Sequence, residues 1–271
     1  MPLDHLKGRR GAFRIALIPP EVLQALNDGS IETVNLNEFL ALDLPRLARS
    51  VAGQIGIDAA HERLDDTLAM LPSFKPLKRH GHIARALYDI TALHPARDAV
   101  AHRVATHPSD VARCWAAQWI ALSGMGLPEQ LQAVRRFAAD PHFGVREIAW
   151  MSVRDAVVES LDEALALLAP WVRDPDPNIR RFASELTRPR GVWCAQIEAL
   201  KAQPWLALPL LEALKADDSR YVQNSVANWL NDASKTQGEW VEAVGARWLA
   251  ASDAPATKYI VKRALRTLSK A

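Results

Sequence analysis

Apolar residues recur at three- and four-residue spacing along most of this chain, and the pattern is clearest in its second half. Ile179, Phe182, Ala183 and Leu186 share one helical face, while Arg181, Glu185 and Arg188 lie on another. Val222, Val226, Trp229 and Leu230 form a second apolar row, with Asn224, Asn228, Asn231, Asp232 and Lys235 on the other side. Further helical runs, Leu161-Asp-Glu-Ala-Leu-Ala-Leu-Leu and Leu206-Ala-Leu-Pro-Leu-Leu-Glu-Ala-Leu, lie before and between these rows. No segment shows convincing strand alternation, so the pattern predicts an all-α fold.

The helices are opened by a recurring motif: His107-Pro-Ser-Asp-Val111, Asp140-Pro-His-Phe-Gly-Val145, Asp174-Pro-Asp-Pro-Asn-Ile179 and Asp217-Asp-Ser-Arg-Tyr-Val222, with a looser copy at Val261-Lys-Arg263. Its β-branched anchors are spaced 34, 34, 43 and 39 residues apart, the period at which helix pairs stack into an α-solenoid of HEAT-like repeats. One helix pair cannot bury its own apolar face, so stacking is the fold, and it provides a concave binding surface. A single domain is expected over 1–271. Residues 1–38, with Gly8, Gly11, Pro19-Pro20 and Gly29, are irregular or partly helical; 40–57 and 82–104 carry degenerate repeats; 107–271 holds the clearest ones.

Composition narrows the function only a little. Thirty-three basic against 31 acidic side chains leave a formal charge of +2, too small to argue for nucleic acid by itself. Its distribution says more. Arg113, Arg146, Arg180, Arg181, Arg220, Lys262 and Arg263 occupy comparable places in successive repeats, and stacking would align them into a basic track following a phosphate backbone. Equally, an arginine after the anchor serves as repeat punctuation, bonding the loop before it. Cys114 and Cys194 form no CxxC motif and fit a reduced, cytoplasmic protein. Lys7, Arg9, Arg10 and Arg14 lead into an apolar run that Pro19-Pro20 stops, which is no secretory signal. No stretch approaches the roughly 18 apolar residues of a membrane span. The histidines lack a ligand pattern such as HExxH, so no metal and no cofactor are expected.

Three features suggest chemistry. Glu147 falls on a row with Trp150, Met151 and Arg154, predicted to face away from the core row of Val145, Ile148, Ala149 and Ser152. The asparagine-rich row ending in Asp232 suggests hydrogen-bonding work on a concave face, because asparagine is a mediocre helix former that a merely solvated face would not select. Among nine tryptophans, most of which are packing residues as Trp115 and Trp119 are expected to be, Trp193 follows Arg188-Pro-Arg-Gly-Val and is expected on a loop, free to stack on a bound group.

The runs Val145-Arg-Glu-Ile-Ala-Trp150, Arg180-Arg-Phe-Ala-Ser-Glu185, Thr187-Arg-Pro-Arg-Gly-Val-Trp193 and Tyr221-Val-Gln-Asn-Ser-Val-Ala-Asn-Trp-Leu-Asn-Asp232-Ala-Ser-Lys235 resemble the bacterial HEAT-repeat DNA alkylation repair glycosylases, more the AlkC branch than AlkD. Gly191-Val192 stands where that family has Leu-Pro before the tryptophan. The resemblance implies hydrolysis of the N-glycosidic bond of cationic N-alkylated bases of the 3-methyladenine and 3-methylcytosine type, without strand cleavage. It implies catalytic roles for Glu147, Glu185 and Asp232, and lesion contacts from Trp193, Trp150 and Asn228. Backbone contacts are expected from Arg113, Arg146, Arg180, Arg181, Arg188, Arg190, Lys235, Lys262 and Arg263. The expected partner is double-stranded DNA bearing alkylated bases, met by a monomer in the bacterial cytoplasm.

Those residue types suit that reaction. A base alkylated on a ring nitrogen leaves as a neutral molecule and needs no strong acid. Positive charge then develops on the sugar, where carboxylates stabilise it and orient water. The competing readings are a HEAT-repeat scaffold without catalysis, with Trp193 and the asparagines forming a peptide groove, and a DNA-binding relative that has lost excision.

Overall fold

The computed structural model describes residues 3–6, 8–191 and 194–270. These are helical with connecting loops, and no strand occurs among them. They divide into two compact units, the first comprising Met1–Gly124 with His142–Ile148, the second Met125–Pro141 with Ala149–Ala271.

The first unit contains α1 (Pro20–Asn27), α2 (Leu36–Leu40), α3 (Leu44–Ile55), α4 (Glu62–Met70), α5 (Pro76–Ala92), α6 (Arg97–Ala105) and α7 (Asp110–Leu122). Its core is drawn from Leu47, Val51, Ile55, Leu64, Ile83, Leu87, Val111 and Trp115, all fully or almost fully buried. The second unit opens with α8 (Leu127–Ala138). Helix α9 (Phe143–Ser152) is divided between the units at Ala149. The second unit continues with α10 (Arg154–Glu159), α11 (Leu161–Leu168), α12 (Pro177–Leu186), α13 (Glu198–Ala202), α14 (Leu208–Leu214), α15 (Arg220–Ala233), α16 (Gly238–Ala251) and α17 (Pro255–Ala264). Here α15 lies between α12 and α17. Their apolar rows, Ile179, Phe182, Ala183 and Leu186 against Val222, Val226, Trp229 and Leu230, then Ile260 and Val261, are buried to within 3%. The helix period and the repeat anchors read from the sequence therefore coincide with the observed interior.

The repeated loops share one construction. A side-chain acceptor takes the backbone N–H two residues on: His107 Nδ1 from Ser109 (3.1 Å), His142 Nδ1 from Gly144 (3.2 Å), Asp174 Oδ1 from Asp176 (2.9 Å) and Asp217 Oδ1 from Ser219 (2.8 Å). This satisfies an N–H that the start of a helix leaves without an intrahelical partner. Six residues after the acceptor, a long polar side chain folds back to the acceptor's own carbonyl: Arg113 to His107 O (2.7 Å), Arg180 to Asp174 O (2.9 Å) and Gln223 to Asp217 O (2.7 Å). Histidine and aspartate are interchangeable in this role because each presents an acceptor at the same reach. Since Nδ1 accepts, the proton of each histidine sits on Nε2, which donates to Gln54 Oε1 in His107 and to Thr33 O in His142, both at 2.7 Å.

The same construction decides the fate of two track arginines. Arg113 is taken up by His107 O, Pro108 O and Glu32. Arg180 is taken up by Asp174 O, Pro175 O, Asp217 and Asp218, and only 14% of its side chain is exposed. Both are punctuation residues and not members of an open basic track.

Candidate active site

Within the second unit the C-terminal end of α12 meets the last turns of α15, and two carboxylates converge there on one guanidinium. Arg188 donates from Nη1 to Glu185 Oε1 (2.6 Å), and from Nε and Nη2 to Asp232 Oδ2 (2.9 and 2.7 Å). Ser225 Oγ donates to Glu185 Oε2 at 2.7 Å and stands 2.8 Å from Ser184 Oγ. Arg181 Nη2 lies 3.5 Å from Glu185 Oε2, and Lys235 Nζ 3.2 Å from Asp232 Oδ1. The two carboxylate side chains are only 5% and 7% exposed. Burial works against the charge of Glu185, but Arg181 and Arg188 beside it and the Ser225 hydrogen bond outweigh burial and hold the carboxyl below its ordinary value. A buried carboxylate so paired stays ionised.

Local sequence explains the convergence. Glu185 and Arg188 are three residues apart at the end of α12, and Pro189 prevents the helix from continuing. The departing chain is fixed from below by Arg154, which is fully buried and donates to Leu186 O (2.6 Å), Arg188 O (2.6 Å) and Ala195 O (2.9 Å). Gly191 completes this turn. A Cβ there would fall 2.2 Å from Cys194 Sγ and 3.0 Å from Arg154 Cζ, so only glycine fits.

Several expected site residues lie elsewhere. The row of Glu147, Trp150, Met151 and Arg154 does not face outward: Trp150 is 1% exposed and Arg154 0%, with Arg154 Cζ 5.8 Å from the Trp150 ring centre. Arg154 lies beyond a break at Val153, on α10, and does not continue the row, while Trp150 within α9 is buried beside Ala149, the buried sector being wider than the row of small apolar residues. Trp150 is thus a core residue without the open ring a lesion contact needs. Glu147 is half-buried and belongs to the first unit, whereas Glu185 and Asp232 belong to the second. Trp193 lies outside the described residues.

The asparagine row is a seam between helices. Asn224 Oδ1 accepts from Tyr259 Oη (2.7 Å), Asn228 Oδ1 from Arg266 Nη2 (2.9 Å), and Asn231 Nδ2 donates to Ala264 O (3.0 Å) and Thr267 Oγ1 (2.8 Å). These bonds join α15 to α17 and the turn after it. Asn228 remains half-buried.

The basic residues also sort by environment. Arg181 and Arg188 are buried among the carboxylates, and Arg181 Cζ lies 4.3 Å over the Tyr221 ring. Arg146 and Arg190 are half-buried, while Lys235, Arg220, Lys262 and Arg263 are exposed. Arg220 and Arg263 both lie over one ring, Tyr259, with Cζ 3.6 and 5.5 Å from its centre.

Sequence reading missed Arg154, Ser184, Ser225 and Arg266. The two serines carry a weak signal, being small hydroxyl residues next to the apolar rows, Ser184 after Ala183 and Ser225 before Val226. Arg154 carries none, because its partners are carbonyls more than 30 residues away. Among the described residues no group of three or more His, Cys, Asp or Glu is placed to hold a metal ion, and no helix is long and apolar enough to cross a membrane.

Stacked helix pairs with capped repeat loops make this a HEAT-repeat protein, and the buried carboxylate pair gives its second unit a charged site. More closely, the chain has the HEAT-repeat glycosylase fold of AlkC and AlkD. It is similar to the Pseudomonas fluorescens alkylpurine DNA glycosylase AlkC, solved bound to DNA containing an abasic site analog, with a TM-score of 0.70 and 26% identity, covering 86% of this chain and 64% of that one. AlkD2 from Streptococcus mutans shares the fold with a TM-score of 0.57 and 21% identity, covering 75% of this chain and 98% of that one. A second Streptococcus mutans structure, smu.31 from strain UA159, has a TM-score of 0.56 and 22% identity over the same shares. Among curated proteins, YhaZ of Bacillus subtilis (strain 168), itself uncharacterized, is 37% identical over 145 residues, 54% of this chain and 39% of that protein. The chain therefore spans about two fifths of that relative and somewhat under two thirds of AlkC. No protein-family model matches.

Proposed function

We propose that the protein is a DNA glycosylase that hydrolyses the N-glycosidic bond of cationic N-alkylated bases in double-stranded DNA and leaves an abasic site. The observation that carries this reading is the Glu185 and Asp232 pair held on Arg188 in a chain similar to a DNA-bound alkylpurine glycosylase. The base departs as a neutral molecule, so the site needs no acid. Fixed anionic oxygens next to the sugar lower the barrier by meeting the positive charge that develops there, and orient the attacking water. This reading also gives Glu147 a catalytic role, and Trp193 stacks on the cationic base, where a cation–π contact favours it over a neutral base by about 1–2 kcal/mol. Arg220, Lys235, Lys262 and Arg263 supply phosphate contacts. The protein acts as a monomer in the cytoplasm and without a cofactor.

A DNA-binding relative without excision is the second reading, and the charge around the pair favours it: three cations serve two carboxylates, Arg181 lying within 4 Å of Glu185, Lys235 of Asp232 and Arg188 of both. Incubation with duplex DNA treated with a methylating agent, followed by chromatography of the released bases, decides between the two. Release of 3-methyladenine or 3-methylcytosine supports excision. Tight DNA binding with no base released supports the second reading.

A further inference from the structure

We infer that Glu185 and Arg188 are positioning residues for Asp232, and that Asp232 Oδ1 is the oxygen of this pair that meets the substrate. The inference rests on the glycosylase reading and divides the labour within its site.

Each oxygen of Glu185 already has a buried partner. Oε1 receives Arg188 Nη1, and Oε2 receives the Ser225 hydroxyl with Arg181 beside it. These partners are themselves buried. Glu185 cannot turn to a substrate without leaving buried cations and a hydroxyl unpaired. Arg188 is held at both ends, its side chain by the two carboxylates and its carbonyl by Arg154 Nη2 at 2.6 Å. It therefore delivers Nε and Nη2 to Asp232 Oδ2 in a fixed geometry.

The remaining oxygen differs in kind. Among the described residues, Asp232 Oδ1 is held only by Lys235 Nζ, at 3.2 Å, and 43% of that lysine side chain is exposed. An exposed ammonium on a flexible four-carbon stem is a weak and mobile partner. A carboxylate with one oxygen locked and the other under a displaceable cation is oriented before the substrate arrives, as electrostatic stabilisation of a developing cation requires. The charged and titratable groups facing the pair are Arg181 and Arg188 from α12 and its end, Lys235 after α15, and Arg266 after α17, with Arg154 and Cys194 behind Glu185.

The test compares single-turnover base release from dimethyl-sulfate-treated duplex DNA by the wild type, Asp232→Asn, Glu185→Gln and Arg188→Lys, with pH profiles and with circular dichroism to confirm folding. Asp232→Asn should lower the rate roughly 100- to 1000-fold. Glu185→Gln and Arg188→Lys should lower it roughly 5- to 50-fold with DNA affinity unchanged, because orientation is loosened while the reacting oxygen stays. Arg188→Lys should also move the acidic limb of the profile to higher pH, since the ammonium keeps the charge but gives up the guanidinium hydrogen bond that helps hold the Glu185 carboxyl low against its burial. Merely structural damage would not shift that limb. A loss in Glu185→Gln equal to that in Asp232→Asn would place Glu185 itself against the substrate and overturn the inference. So would an Arg188→Lys variant with wild-type rate and profile. If the wild type released no base, the glycosylase reading would fail first, an outcome distinct from either of these.

Discussion

Arg180 donates through Nε and Nη2 to the two oxygens of Asp217, at 2.7 and 3.0 Å, joining the opening turn of α12 to the loop before α15. The pair is largely buried, with side-chain exposures of 14% and 5%. Arginine at this position thus ties one repeat to the next.

Reversing it should therefore damage the fold before it damages DNA binding. Arg180→Glu places two carboxylates against each other in a buried position and should destabilise the protein by about 3–5 kcal/mol. Lys262→Glu with Arg263→Glu, on the exposed side of α17, should leave stability nearly unchanged. That double variant should weaken binding to damaged and undamaged duplexes alike and lower the salt slope by roughly one unit per lost contact. Denaturant unfolding and binding at several salt concentrations measure both. A stable Arg180→Glu protein with weakened DNA binding would return Arg180 to the basic track.

Arg154 yields a different kind of prediction, because its three hydrogen bonds go to backbone carbonyls at and after the end of α12 and none goes to a carboxylate. Arg154→Met keeps much of the volume and removes all three hydrogen bonds, each worth about 1–3 kcal/mol when the acceptor is left buried. Amide hydrogen exchange should accelerate in residues 186–191 more than in α15, and base release should fall with it. Uniform acceleration across the second unit would mean Arg154 is a general core residue and not a clamp on this turn.

Much of the fold was legible because burial is periodic. Val222, Val226, Trp229 and Leu230 can be read as an interior row from spacing alone, and they are fully buried. What spacing cannot reveal is what lies opposite a polar row. The asparagines of α15 carry hydrogen-bonding work as expected, but for α17 and the turn after it, a partner more than 30 residues away. Arg113 and Arg180 were ambiguous for a related reason: repeat punctuation and a phosphate track place the same residue type at the same interval. At Arg154 the difference comes from extending one helix through Val153, where α9 ends and α10 begins; Trp150, within α9, is buried beside Ala149 in an interior sector wider than the spacing of the small apolar residues marks. Glu185 and Asp232 were picked out by motif, while the guanidinium joining them was expected on the DNA.

Glu147→Gln and Trp193→Ala separate chemistry from recognition. The amide retains size and hydrogen bonding while removing negative charge, so excision should fall on the order of tenfold to a thousandfold with DNA affinity held or raised. Loss of the indole should instead reduce preference for methylated over unmethylated duplex by roughly tenfold, in keeping with the worth of one cation–π contact, before general affinity changes. Competition binding with the two duplexes reads this directly. Equal losses of affinity for both duplexes in Trp193→Ala would mean the ring does not sense the charge of the base.

The first unit should lose stability on mild acidification, through His80 and His107. Burial holds the pKa of His80 at about 4, and burial followed by the nearby Arg113 charge holds that of His107 at about 4. Both rings are neutral in the folded protein at pH 7, and His107 needs its bare Nδ1 to accept the Ser109 N–H. An unfolded chain takes up these protons near pH 6.5, whereas the folded one resists until about pH 4. The unfolded state therefore binds more protons across that window, and stability must fall as pH falls. The contribution is complete above pH 6.5 and exhausted below about pH 4, and for His80 alone it amounts to about 3 kcal/mol. His80 stacks on Phe39 with ring centres 4.7 Å apart, so His80→Phe retains an aromatic surface there while removing the titration. Urea unfolding between pH 7 and 4.5 should show a clearly shallower loss in that variant. An identical pH dependence in variant and wild type would show that His80 does not couple protonation to the fold.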